Sequence, residues 1–82
     1  MEILVSSIAA ILTTAAFVPQ ALHIIRYKET RAISLQMYVV FAIGVTFWLL
    51  FGFMIWNWPM IVANTITLAL ALTILRMKLK YG

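Results

Sequence analysis

The chain has no cysteine and no aspartate, and its acids are two glutamates, Glu2 and Glu29. Without cysteine there is no disulfide and no thiolate metal site, and the redox compartment stays open. With one histidine, His23, and both acids outside the apolar runs, no cluster of metal ligands can be assembled. The same shortage removes paired carboxylates, nucleophile–base pairs and Gly-rich phosphate loops. The expectation is therefore a protein that is not an enzyme and uses no cofactor or metal. Charge is scarce as well, at 10% of residues against 66% hydrophobic, with mean hydropathy +1.10. A soluble domain of 82 residues needs a far more polar surface, so the chain reads as a membrane protein. Its net charge of +4 is explained by topology and gives no reason to expect nucleic acid.

A membrane-spanning helix needs about 20 apolar residues. Three runs qualify: about 3–25, 35–56 and 60–75. The predicted fold is all-α, with one three-helix transmembrane domain over 1–82. The first run carries Glu2 near its start and ends in basic residues, unlike a cleaved signal peptide. Ser34 is placed to cap the second helix. Asn57-Trp58-Pro59 marks a tight turn, and Pro59 suits a first helical turn.

Three spans put the termini on opposite sides. The first loop and the C-terminal tail then share a side, which holds Arg26, Lys28, Arg31, Arg76, Lys78 and Lys80, every cation of the chain. The positive-inside rule makes that side cytoplasmic and the N-terminus external. Anionic lipid contact is a further expectation at the basic side. Trp56 and Trp58 mark the outer interface, and Tyr27, Tyr38 and Tyr81 the inner one. His23 reads as an interfacial side chain.

Against this background a few residues inside the spans stand out. Pro19 removes a backbone hydrogen bond from the first helix, and Gln20 brings an amide into hydrocarbon. Thr13 and Thr14 lie among Ala9, Ala10, Ala15 and Ala16, a pattern that serves either helix packing or the lining of a path. Trp48 lies on one stripe with Gly44 and Gly52, where glycines leave room beside an indole that suits a ligand platform. Its competing use is to fill a gap between helices. Asn64 needs partners for its amide, either in a pocket or across a helix contact. From the helix rise, Trp48 and Asn64 lie about 4 and 5 Å outside the midplane and Pro19 about 8 Å toward the cytoplasm. A bend is thus expected below a central pocket. No ionisable group sits mid-membrane, so passive movement of a neutral solute is expected. One copy of three helices has no room for a path and no internal repeat, which calls for a parallel second copy, most simply a homodimer.

In order, Thr13-Thr14, Phe17-Val18-Pro19-Gln20, Thr30-Arg31, Ile33-Ser34, Met37-Tyr38, Gly44, Trp48, Gly52, Asn64 and Thr67-Leu68 resemble the bacterial SemiSWEET transporters. These are the half-size relatives of SWEET sugar carriers in the wider PQ-loop group, and the resemblance covers essentially the whole chain. It implies a bundle with the third helix between the first two, and a homodimer enclosing a pocket on its two-fold axis. It further implies facilitated diffusion of a mono- or disaccharide across a prokaryotic inner membrane. It places Trp48 and Asn64 at the substrate, Pro19 and Gln20 at a hinge, and Met37 and Phe41 at an inner gate, while Thr13, Gly44, Gly52 and Thr67 are candidate pocket-lining positions from their place in the spans. Two departures are visible. Phe51-Gly52 stands where members often have Tyr-Gly, and the outer turn of Ile55, Asn57, Trp58 and Pro59 lacks the charges members often carry there. Hydrophobic closure through Phe51 is the resulting expectation. Two other readings compete: a PQ-loop-like carrier of another small solute such as an amino acid, and a non-transporting membrane scaffold or assembly protein.

Overall fold

The computed structural model describes residues 1–31 and 33–81. Three helices account for most of it: α1 (Glu2–Tyr27), α2 (Leu35–Met54) and α3 (Trp58–Tyr81). All three are long and apolar enough to cross a membrane. Among the described residues there is no strand.

The helix ends follow local chemistry. α1 stops at Lys28, which takes a left-handed conformation with φ 56° and donates its N–H to the Ile24 carbonyl. Ser34 caps α2, its Oγ accepting from the Met37 N–H at 3.2 Å. α2 ends at Met54, two residues before Trp56, whose φ of 53° turns the chain. Asn57 then opens α3, with Oδ1 accepting from the Met60 N–H at 3.2 Å. α3 continues well past the apolar run expected to end at 75, as far as Tyr81. The tail from Arg76 to Lys80 consists of good helix formers, and its cations at a helix C-terminus favour the macrodipole.

α3 packs against both neighbours, while α1 and α2 do not approach each other at backbone level among the described residues. The Cα framework measures 43 × 21 × 14 Å. Its length matches a bilayer of about 40–45 Å with headgroups. Its 21 Å width suits three helices side by side at about 8–10 Å spacing. Its 14 Å depth is little more than the diameter of one helix, about 10–12 Å, and cannot enclose a solute path. Close approach rests on small side chains. Ala21 of α1, Ala42 of α2 and Ala71 of α3 are buried, joined by Val45 and Ile74. A Cβ on Gly52 would lie 3.3 Å from both Met60 and Ile61, so this glycine lets α2 lie against the start of α3.

Polar side chains fasten the two ends of the row. At the end opposite the cations, the expected outer side, Asn57 donates its Nδ2 to Ser6 Oγ at 2.7 Å, tying the α2–α3 turn to α1. At the basic end, the Lys78 ammonium donates to the carbonyls of Thr30 at 2.9 Å and Arg31 at 3.3 Å, tying α3 to the α1–α2 loop. Asn57 and Thr30 are 5% and 1% exposed, which makes these the buried polar points of the bundle among the described residues. Thr13, Thr46, Thr65 and Thr73 each donate to the carbonyl one turn earlier in their own helix, at 2.7–2.8 Å. Their hydroxyls are thereby satisfied without a neighbouring helix.

Candidate functional site

The contact at Gly52 sets the register of α2 against α3, and with it the level of the two polar site candidates. The helices run antiparallel. Moving one turn from Gly52 toward the basic end of α2 leads to Trp48, and moving one turn from Met60 the same way along α3 leads to Asn64. Each lies about 6 Å inward of the same contact. The levels estimated from the apolar runs thus agree with those set by the packing.

Trp48 is 58% exposed in a single chain. It lies edge-on to Phe51, with ring centroids 5.9 Å apart and planes at 78°. Gly44, Phe47, Trp48 and Phe51 line a hollow of about 430 Å³ open on one side. A Cβ on Gly44 would meet nothing within 4 Å. The two glycines therefore differ: Gly44 leaves room beside the indole, whereas Gly52 is occupied by the Met60 and Ile61 side chains. Phe47 was not singled out from sequence, although positions 44, 47, 48 and 51 have the i, i+3, i+4, i+7 spacing of a single helix face.

Asn64 is half-buried, and its Nδ2 donates to the Met60 carbonyl one turn earlier at 2.8 Å. That bond fixes the amide while leaving Oδ1 and the second N–H for another partner. Asn64 does not line the Trp48 hollow; one chain brings the two residues to the same level without joining them in one cavity. Thr67 is half-buried, and Thr13 is exposed with its hydroxyl returned to Ala9.

Pro19 lies within α1, where the missing N–H leaves the Ala15 carbonyl without its helical donor. Gln20 is exposed. Next to this weak point, the Phe17 ring reaches the Phe41 ring of α2 at 5.8 Å, and Tyr38 meets Phe41 edge-on at 6.0 Å. Phe17 thus carries an α1–α2 side-chain contact that spacing alone gave no means to find. Met37 is exposed in the first turn of α2, one turn before Phe41.

A second and larger hollow, about 710 Å³, lies between α1 and α3. Its walls run from Ser7 and Trp58 to Pro19 and Ile66, and its hydroxyls are those of Ser7 and Thr14. Both hollows of the single chain are therefore largely apolar, the Trp48 hollow offering the indole N–H as its one polar side-chain atom. Near the basic end of α1, exposed His23 has its Nε2 3.5 Å from Glu29 Oε2. No cluster of three potential metal ligands occurs among the described residues.

Three apolar helices long enough to span a membrane thus form a shallow row that carries an uncovered indole and an asparagine amide at one level. The PQ-loop repeat family model matches residues 2–58, and the chain belongs to that family, in its SemiSWEET branch. It is 43% identical over 82 residues to a sugar transporter SemiSWEET of Leptospira biflexa, covering 100% of this chain and 96% of the relative. It is 39% identical to another from Bradyrhizobium diazoefficiens, covering 96% and 92%. Among solved structures, SemiSWEET in the inward-open conformation superposes with TM-score 0.90 at 38% identity, covering 96% of this chain and 92% of that one. A bacterial homologue of SWEET transporters gives 0.81 at 43% identity, covering 99% and 98%.

Proposed function

We propose that the chain is a sugar uniporter that works as a parallel homodimer by alternating access. The observation that carries this reading is the shared level of Trp48 and Asn64 on a row too shallow to surround a solute. A second copy related by an axis along the membrane normal completes the site and presents each residue twice. The relatives named as sugar transporters supply the solute class. The chemistry fits it: indole faces pack on the C–H faces of a pyranose, and amides exchange hydrogen bonds with its hydroxyls. A neutral solute needs no countercharge, and no acid or base lies in the middle of any span.

α1 turns at Pro19 and Gln20, where the helical bond is already missing, and the segment below moves against α2. Met37 and Phe41 close the inner side, with Phe17 passing the motion of α1 to Phe41. Phe51 and its symmetry mate close the outer side by apolar contact, and Gly44 and Thr67 line the route. Thr13 lines it as well, while Gly52 serves the packing of α2 against α3. The protein resides in a prokaryotic inner membrane with the N-terminus outside and the basic end in the cytoplasm.

The test is uptake of a radiolabelled sugar panel by proteoliposomes. One or more sugars should enter, and Trp48→Ala or Asn64→Ala should abolish entry while the dimer persists. Normal uptake by both variants would refute the pocket. Competition by amino acids rather than sugars would reassign the solute.

A further inference from the structure

The six cations at the basic end are not equivalent. Lys78 is committed to the carbonyls of Thr30 and Arg31. Arg26 lies over its sequence neighbour Tyr27, at 5.6 Å from the ring centroid. Lys28 and Lys80 behave differently. They come from separate helices, one at the end of α1 and one in the last turn of α3, yet both ammonium groups converge on the ring of Tyr81. Their Nζ atoms lie 5.1 and 5.4 Å from its centroid. Cation–π attraction at an exposed ring is weak, so neither ammonium group is held strongly by it. Both remain available to an anion bound at this ring.

Depth identifies the anion. Taking Thr14 and Thr67 as the midplane positions of α1 and α3, Lys28 and Tyr81 each lie fourteen residues further along, about 21 Å from the bilayer centre. A bilayer with headgroups is about 40–45 Å thick, so this is the level of the lipid headgroups on one leaflet. The side chains of Lys28, Lys80 and Tyr81 are exposed there, and Tyr81 is an interfacial residue type. We propose that Lys28, Lys80 and Tyr81 form a site for the phosphate of an anionic phospholipid. The ammonium groups donate to the phosphodiester oxygens, and the phenol packs beside the headgroup. Because the site joins the end of α1 to the end of α3, an occupied site also restrains the part of α1 below Pro19.

The chemistry recognised is a phosphate, so the test must separate a lipid from a free ion and a built site from diffuse positive charge. Native mass spectrometry of the purified full-length protein with phosphatidylglycerol and phosphatidylcholine provides this. The wild type should retain phosphatidylglycerol in preference to phosphatidylcholine. Lys28→Gln/Lys80→Gln should lose on the order of tenfold in that preference, while Arg31→Gln/Arg76→Gln, with the same net charge, should lose less than about threefold. Lys28→Arg/Lys80→Arg should retain it, because guanidinium binds phosphate at least as well. Millimolar inorganic phosphate should not displace the lipid. Equal losses in the two Gln variants, retention by Lys28→Gln/Lys80→Gln, loss in the Arg variant or displacement by inorganic phosphate would each overturn the assignment.

Discussion

The two ends of the helical row are fastened in opposite ways. At the outer end a short side chain does the work. Asn57 is almost fully buried, caps α3 through Met60, donates its own N–H to the Gly52 carbonyl at 2.9 Å and reaches α1 at Ser6. The turn there is short, and three chain segments meet on one residue through its amide side chain and its backbone N–H. At the basic end a long side chain does the work. Lys78 reaches from α3 to two loop carbonyls, and the α1–α2 connection it holds is longer and carries Lys28, Glu29, Thr30, Arg31 and Ser34. A short buried tie permits little relative motion, whereas a lysine with four methylenes follows its partners over several ångströms. Pro19 lies between these two ties, on the half of α1 nearer the flexible one. On the proposed mechanism this difference makes the segment of α1 below Pro19 the part that shifts against α2 and α3, and the Asn57 end the part that keeps the bundle together.

Breaking the rigid tie should have the largest effect. Asn57→Ala removes a helix cap and a polar contact between helices, together about 2 kcal/mol of stability. Thermal unfolding in detergent should show the loss, with Ser6→Ala recovering only the Ser6 share of it. An Asn57→Ala protein as stable as wild type would remove the outer anchor from the account. Pro19→Ala restores the bond to the Ala15 carbonyl and stiffens α1, so exchange should slow about tenfold, equivalent to about 1.4 kcal/mol in the barrier. Sugar affinity should change much less. Equilibrium binding and counterflow on the same preparation separate the two, and an unchanged rate would count against the hinge. Lys78→Met should cost about 1 kcal/mol, because the carbonyl of the buried Thr30 still accepts from the Ile33 N–H at 3.1 Å. Hydrogen exchange should rise at Thr30 and Ile33 and stay unchanged at Asn57. Equal disturbance at both ends would erase the contrast.

The spans were legible because hydropathy and helix length are local properties, and the same holds for the Ser34 cap. The levels of Trp48 and Asn64 were legible because helix rise is constant. The outer anchor was not, since Ser6 and Asn57 are far apart in sequence and an asparagine beside Trp58-Pro59 reads simply as a turn residue. Gly52 illustrates the limit of a spacing argument. It shares a stripe with Gly44 and Trp48, but only the approach of α3 decides that its space is already filled by Met60 and Ile61. The length of α3 was underread for a different reason. Charges end an apolar run without ending a helix, and the last turns of α3 carry Lys78 to the loop.

The absence of native cysteine allows a direct test of the paired-copy site. Gly44 faces open space beside Trp48, so Gly44→Cys should fold normally. A short bifunctional thiol reagent should join two copies through this single position in membranes, and a transported sugar should slow the reaction. Failure to cross-link, or cross-linking indifferent to every transported sugar, would contradict a substrate site shared between two chains.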